Sequence, residues 1–327
     1  MQLHDILIKA CSDENPNVRK AAAIALGDIE AGTAKNALVK LLKDPQPAVM
    51  EAAIYSLGKI KAVDAVEHLI KMLGVDGDPR KGILQGVSLK GEEDGASAAP
   101  ANPLAGGGKD KKKELNWKVR KAAALVLCKI QPDIAVHPLM QALDIDNENV
   151  KIASITGLGN MEAEEAAPKL MELLKSESWE VRKAVATALG KINHLPAVPE
   201  LLELMKDTRF AVRIEAVIAL NHIKSEDSIE PLMHLMKDDS NPDVRRTIVI
   251  ALGNMKNEKA VPALVAACKD ETWQVRKAAI TALGNLKFPS VLPPVMEAMG
   301  DESDEVRVAA SAVYPRLSAS LSSKTAD

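Results

Sequence analysis

Arginine recurs along this chain directly after a valine, and its guanidinium is the group most able to do chemistry here. These arginines are Arg19, Arg120, Arg182, Arg213, Arg245, Arg276 and Arg307. An aspartate stands six residues before five of them, at Asp13, Asp207, Asp239, Asp270 and Asp301. Guanidinium and carboxylate groups form bidentate, charge-assisted hydrogen bonds. The spacing therefore predicts a structural Asp–Arg ladder, in which each upstream acid compensates its arginine. A row of anion-binding arginines is the alternative.

No group of residues typical of catalysis or metal binding accompanies the arginines. The sequence contains no GxSxG, CxxC, HExxH or GxGxxG motif. Its six histidines are scattered, at His4, His68, His137, His194, His222 and His234. Cys11, Cys128 and Cys268 are far apart and indicate small apolar core residues. We therefore expect a protein that is not an enzyme and that holds no metal or cofactor.

The elements that position the arginines follow from a repeat. The same valine recurs at positions 18, 49, 119, 150, 181, 212, 244, 275 and 306, a step of 31 or 32 with one gap of 70. Met50 and Lys151 stand in place of arginine after the second and fourth of these valines. Within SWEVRKAVATALGKI, the apolar residues have the period of an amphipathic helix. A shorter helical pattern precedes each copy. The sequence therefore predicts an all-α solenoid of nine helix–turn–helix repeats, in which neighbouring repeats share one core.

Capping signals mark the start of the second helix in each repeat. Seven residues three positions before the valines are good N-caps, namely Asn15, Asn116, Asn147, Ser178, Asn241, Thr272 and Ser303. Proline near the start of several first helices, from Pro138 to the pair Pro293–Pro294, fits a first turn. Glycine recurs near the end of the second helix. It allows either close approach of a neighbouring backbone or a left-handed helix end.

The spacing D-x5-R, the motif VRKAA-x-ALG and a following AV-x-PL resemble HEAT repeats, as in DETWQVRKAAITALGNL followed by VLPPVMEAM. The similarity is to the short bacterial and archaeal subgroup named after phycobilisome lyases. It implies a right-handed α-α superhelix whose second helices line the concave surface. Family members include scaffolds, chromophore-lyase subunits, a di-iron hydroxylase and DNA glycosylases of related architecture. The hydroxylase uses His-Glu pairs, and this chain has no such dipeptide.

The organisation expected is one solenoid domain over residues 1–327 with two departures. Residues 75–113 form an insertion within the third repeat, and they are rich in Gly, Ala and Pro before ending in KDKKK. We expect this insertion to be flexible and partly helical. Residues 318–327 are polar and are expected to form a disordered tail.

Composition excludes some partners. The net charge is −3, with a pI near 6.1, so no overall positive field favours nucleic acid or anionic lipid. Aromatic residues make up 2% of the chain, which leaves few platforms for stacking bases. The N-terminal residues MQLHDILIKACSDE lack the features of a leader, and no apolar run approaches twenty residues. We expect a cytoplasmic protein.

Recognition is expected on the concave face, because the residue after each ladder arginine should point into that groove. The candidate partner-binding residues are Lys20, Lys121, Trp179, Lys183, Phe210, Ile214, Arg246, Trp273 and Lys277. Mixed basic and apolar character suits an acidic or amphipathic protein segment. We therefore predict a protein–protein scaffold or adaptor, with residues 75–113 as a second contact. A tetrapyrrole-lyase subunit and a DNA-binding HEAT protein are the alternatives.

Overall fold

The computed structural model describes residues 3–75, 111–286 and 288–322, and every regular element in these ranges is helical. Short first helices alternate with longer second helices. The first helices are α1 (Leu3–Ala10), α3 (Lys35–Leu41), α5 (Val66–Leu73), α7 (Pro132–Ala142), α9 (Ala167–Leu173), α11 (Val198–Leu204), α13 (Ile229–Asp238), α15 (Val261–Ala267) and α17 (Leu292–Glu297). The second helices are α2 (Pro16–Asp28), α4 (Pro47–Lys59), α6 (Lys111–Ile130), α8 (Glu148–Asn160), α10 (Trp179–Ile192), α12 (Phe210–Ile223), α14 (Pro242–Met255), α16 (Trp273–Leu286) and α18 (Asp304–Ser322). The predicted all-α repeat architecture is confirmed.

The contacts divide the chain into two units, Met1–Lys169 (unit 1) and Leu170–Asp327 (unit 2). In unit 1 the second helices pack side by side in the order α2, α4, α6, α8, and each of these helices also packs against its own first helix. In unit 2 the second helices follow in the order α10, α12, α14, α16, α18. The contact between two adjacent second helices is called a seam below. Buried leucines, valines and alanines from both helices of each pair form the core, except in the first pair, where α1 contributes no buried residue.

The glycines near the ends of the second helices allow close approach at the seams. A Cβ on Gly190 would lie 2.7 Å from the Cα of Ala219 in the next second helix, and one on Gly253 would lie 2.6 Å from the Cβ of Ala282. Neither glycine has a positive φ. The left-handed positions instead fall just beyond the helix ends, as at Asn193 with a φ of 58°. These two glycines therefore allow close approach of the neighbouring helix, and they do not form left-handed helix ends.

Helix boundaries differ from the sequence prediction in three places. Helix α6 begins at Lys111, so the last residues of the predicted insertion are helical. Asn116 consequently lies inside α6 and does not cap it. Helix α18 continues to Ser322, so residues 318–322 of the predicted tail are helical as well. Pro138 lies in the interior of α7, because that helix begins earlier, at Pro132. The remainder of the predicted insertion, residues 76–110, lies outside the described residues.

The arginines form a ladder, but their carboxylate partners are not those that the spacing predicted. Five of the seven guanidinium groups reach the aspartate of the following repeat, 25 or 26 residues downstream. In one such rung, Arg213 Nε and Nη2 donate to Asp239 at 2.6 and 2.8 Å. The other rungs are Arg19–Asp44, Arg182–Asp207, Arg245–Asp270 and Arg276–Asp301. A ladder that ties adjacent repeats together is therefore present.

The upstream residue contributes its backbone instead of its side chain. Arg213 Nη1 donates to the carbonyl oxygen of Asp207 at 2.8 Å, while the carboxylate of Asp207 accepts from Arg182 of the repeat before. The aspartates also accept the backbone N–H two residues on, as Asp239 does from Asn241 at 2.8 Å. Each rung thus fixes the loop before one second helix against the loop before the next.

Asp44 lies six residues before Met50, which replaces the usual arginine. The sequence analysis therefore left Asp44 out of the ladder, but it is the aspartate that pairs with Arg19. Its carboxylate is 4% exposed and accepts both hydrogen bonds from Arg19. Burial favours a raised pKa for Asp44, but the hydrogen bonds from Arg19 and Gln46 and the charge of Arg19 outweigh it and lower this pKa. Asp13 and Arg307 occupy the two ends: the carboxylate of Asp13 accepts from Asn15 N, and Arg307 pairs with Asp304.

Candidate functional site

The residue after each ladder arginine in unit 2 lies on the side of the second helix opposite the core. Arg246 and Lys277 are exposed there, and Ile214 is half-buried at the equivalent place in α12. The helix starts add Phe210, which is 49% exposed, and Trp273, which is 37% exposed. We call the exposed surface formed by Phe210, Ile214, Arg246, Ile250, Trp273 and Lys277 the second-helix face. It combines cations with apolar side chains.

Three of the predicted residues meet in one cavity at the α14–α16 seam. Arg246, Trp273 and Lys277 line a space of about 450 Å³ together with Ile250, Gln274 and the two asparagines Asn254 and Asn285. A volume of this size matches ordinary ligand and peptide-side-chain sites. The cavity therefore concentrates the polar and apolar groups of the face in one place.

Other predicted residues in unit 2 are engaged with neighbouring side chains. Lys183 Nζ lies 3.8 Å from Glu215 Oε1, across the α10–α12 seam, and Glu215 also accepts from the hydroxyl of Thr187 at 3.0 Å. The ring of Trp179 is covered by Arg209, whose guanidinium carbon lies 6.0 Å from the ring centroid. These contacts compensate the charge of Lys183 and hold Trp179 in place.

In unit 1, Lys20 is exposed on α2, whereas Lys121 is half-buried on α6. Lys121 Nζ lies 5.9 Å from the ring centroid of Trp117. Such cation–π contacts contribute about 0.5–1 kcal/mol at exposed sites. The predicted binding residues are thus divided between the two units, and the cavity is formed by residues of unit 2 alone.

Asn254 and Asn285 were missed by the sequence analysis. They lie eight residues after Arg246 and Lys277, two turns further along the same side of α14 and α16. The signal was present, because both follow the recurrent LG pair as LGN.

The remaining titratable groups show no clustering that suggests chemistry. In the ranges that the structure describes, no three His, Cys, Asp or Glu residues are grouped to hold a metal ion. All three cysteines are free, and burial raises the pKa of the Cys268 thiol to about 12, with help from Glu297 and Asp301. None of the described helices combines the length and apolar character needed to cross a bilayer.

Paired helices, a 31-residue period and an arginine ladder define an α-α repeat protein, and comparison with known sequences names the family. The profile of HEAT repeats matches residues 5–86, 112–178, 168–244 and 230–313. The chain belongs to the HEAT repeat family. No individual curated protein matches the sequence.

Solved structures show the same fold at low sequence identity. The YibA protein of Escherichia coli is 21% identical, with a TM-score of 0.56 over 93% of this chain and 98% of that chain. An engineered protein is 20% identical, with a TM-score of 0.52 over 97% and 89% of the two chains. Importin beta is 15% identical, with a TM-score of 0.61 over 98% of this chain and 47% of its own. These likenesses establish the fold alone.

Proposed function

We propose that this protein is a non-catalytic scaffold or adaptor that binds a partner protein on the second-helix face of unit 2. The observation that carries the proposal is the composition of that face. Phe210, Ile250 and Trp273 are 49%, 42% and 37% exposed, and cations stand between them. Exposed aromatic and apolar side chains next to arginine are characteristic of protein interfaces.

The ladder leaves this face available for binding. Arg245 is 7% exposed and its guanidinium donates to Asp270, while the adjacent Arg246 is exposed. One helix thus presents a buried structural arginine and an exposed arginine in consecutive positions. We propose that the first maintains repeat spacing and the second contacts the partner.

The partner best suited to the face is a protein segment that carries acidic and apolar side chains. Two cations and four large apolar side chains provide the complementary surface. Residues 76–110, outside the described ranges, are retained as a proposed second contact. The cytoplasmic location also stays a prediction.

The proposal is tested with a tagged full-length chain as bait in extract of the native host. The face variant is Phe210→Ser/Ile250→Ser, and the matched control is Leu195→Ser/Met296→Ser, which removes side chains that are 61% and 53% exposed elsewhere in unit 2. A protein that is captured by the wild type and the control but lost by the folded face variant supports the proposal. Equal capture by all three contradicts it.

The same experiment separates the alternatives. Nucleic acid as the sole captured species favours a DNA-binding HEAT protein, and a coloured eluate favours a tetrapyrrole-lyase subunit. The phycocyanin lyase CpcE–CpcF complex of Nostoc sp. PCC7120 is 24% identical over 46% of this chain and 98% of that chain, but its TM-score of 0.39 carries no argument.

A further inference from the structure

The cavity at the α14–α16 seam has an ordered polarity. On α14, Arg246, Ile250 and Asn254 follow one another at four-residue spacing, and on α16 Lys277, Thr281 and Asn285 do the same. Residues eight apart on one side of a helix are separated by about 12 Å. Two cations, with Gln274 beside them, therefore lie at one end of the cavity, and the amides of Asn254 and Asn285 lie at the other.

No acidic side chain lines this cavity. The acid closest to Arg246 is Asp243 on the same helix, at 3.8 Å, and both side chains are at least half exposed. Exposed pairs of this kind contribute little to stability and leave the arginine available to another partner. The pKa of Glu305 is lowered mainly by the hydrogen bond from Ser303, then by a backbone N–H, and to a smaller extent by the charge of Lys277. Glu305 lies on α18 and does not line the cavity.

At two other seams, the outward-facing lysine forms an ion pair with an acidic residue of this chain. Across the α2–α4 seam, Lys59 pairs with Asp28, and these residues occupy the same repeat positions as Asn285 and Asn254. Across the α10–α12 seam, Glu215 takes both Lys183 and the Thr187 hydroxyl. The α14–α16 seam differs from these two because it brings like charges together and supplies no acid between them.

We propose that this cavity binds a carboxylate-bearing side chain of the partner protein, held within an extended segment. Arg246 and Lys277 bind the carboxylate, since a guanidinium offers a two-pronged donor and an ammonium a mobile point charge. The carboxamides of Asn254 and Asn285 each offer a donor and an acceptor to the main chain of the segment. The inference rests on the proposed function and specifies its recognition chemistry.

A protein segment fits the cavity better than a nucleic acid strand. Ile250 and Thr281, which carry no charge, lie between the cations and the amides, so a second anionic group along the same line would meet no second cation. A phosphodiester backbone carries a charge at every nucleotide. Spaced acidic residues with small neighbours match the arrangement.

The test measures fluorescence anisotropy with the full chain and a labelled ten-residue peptide. The peptide carries two glutamates among alanines and glycines and has an amidated end. Its matched partner replaces both glutamates with glutamine. We expect the glutamate peptide to bind at least tenfold more tightly than the glutamine peptide. Equal binding of the two overturns the proposal.

The residues are tested with the double variant Arg246→Gln/Lys277→Gln. Lys237→Gln/Lys259→Gln removes the same charge from exposed positions of unit 2 and serves as the control. We expect the first variant to weaken binding of the glutamate peptide at least tenfold and the control to leave it within twofold, with unchanged melting temperatures for both. Equal weakening by the two variants, or tighter binding of a single-stranded oligonucleotide than of the peptide, contradicts the assignment.

The two proposals fail differently. Capture of the partner by Arg246→Gln/Lys277→Gln, together with its loss in Phe210→Ser/Ile250→Ser, would remove the cavity from recognition and leave the second-helix face in place. Capture by both variants would remove the face and the cavity together.

Discussion

In unit 2, four arginines reach the aspartate of the next repeat, whereas Arg19 is the single arginine that does so in the described part of unit 1. The difference arises from particular substitutions. Met50 replaces one arginine and is buried, at 8% exposure. Arg120 is present, but Ile145 stands 25 residues later in place of the aspartate. The Nε of Arg120 is buried with no hydrogen-bond partner in the structure as described.

The start of α6 contributes to the same difference. In the complete rungs, the arginine also donates to carbonyl oxygens in the loop before its helix, as Arg182 does to Ser176 and Glu177 at 2.8 and 2.9 Å. The loop is replaced by helix before Arg120, because α6 already begins at Lys111. The same repeat pattern therefore forms seams that carry a rung and seams that carry none. We infer that apolar packing stabilises the seams that carry none.

The largest predicted effect is the loss of a complete rung. Arg213→Ala leaves Asp239, which is 2% exposed, without its cationic partner. Removing one partner of a buried pair costs about 3 kcal/mol. Urea unfolding should show a loss of that size. Lys151→Ala is the control, since Lys151 holds the same repeat position but has Ser176 in place of the downstream aspartate. Equal losses in the two variants would show that the rung is not the cause.

Overpacking of a seam is predicted to cost less. Gly190→Ala places a methyl group 2.7 Å from a backbone atom of Ala219, which cannot rotate away. A loss of about 2 kcal/mol is expected. Gly58→Ala in unit 1 meets the Cγ1 of Val126 at 2.9 Å, and a side chain can adjust. Gly300→Ala meets nothing within 4 Å and should be neutral. Thermal unfolding ranks the three variants, and any other order would contradict the seam geometry.

A rung can be added where unit 1 lacks one. Ile145→Asp places a carboxylate at the repeat position that the arginine of the previous repeat uses elsewhere, and the buried Nε of Arg120 gains an acceptor. A stabilisation of about 1 kcal/mol is expected from a new charge-assisted hydrogen bond. Ile145→Asn offers an acceptor without the charge and should gain less. Urea unfolding measures both, and destabilisation by the aspartate would argue against a vacant rung.

The smallest effect appears only in acid. The hydrogen bond from Arg276 is the main reason that the pKa of Asp301 is lowered, against the effect of burial. The contribution of this rung is therefore complete above the ordinary aspartate pKa of about 3.9 and is lost as pH falls through the lowered value. Unfolding midpoints of the wild type and Arg276→Ala should converge once the pH falls below the lowered pKa of Asp301. Arg246→Ala should track the wild type throughout, and a constant gap between wild type and Arg276→Ala would contradict the linkage.

The repeat, the helix pairs and the ladder arginines could be predicted from sequence because each repeats at one fixed position. The partner of each arginine could not, because the acid six residues upstream and the acid 25 residues downstream are the same series of residues seen from adjacent repeats. Asp207, for example, serves Arg182 with its carboxylate and Arg213 with its carbonyl oxygen. Only packing decides between the two.

The helix ends and the candidate site could also be predicted only in part. Asn116 has the residue type of a cap, but α6 extends through it. Lys183 and Lys277 hold equivalent positions in the repeat, but among the described residues only Lys183 forms an ion pair across its seam, with Glu215. Glu215 is not conspicuous in the sequence, since its role depends on the neighbouring helix.

Native-state hydrogen exchange of the wild-type chain, read helix by helix, tests most directly whether the rungs brace the repeats. Amide exchange reports the free energy of local opening. Protection should be at least tenfold higher in α12, α14 and α16, whose N-terminal loops are joined by complete rungs on both sides, than in α6 and α8, to which the described residues provide no rung. Equal protection in the two sets, or higher protection in unit 1, would contradict the account and would assign the stability of the repeats to apolar packing alone.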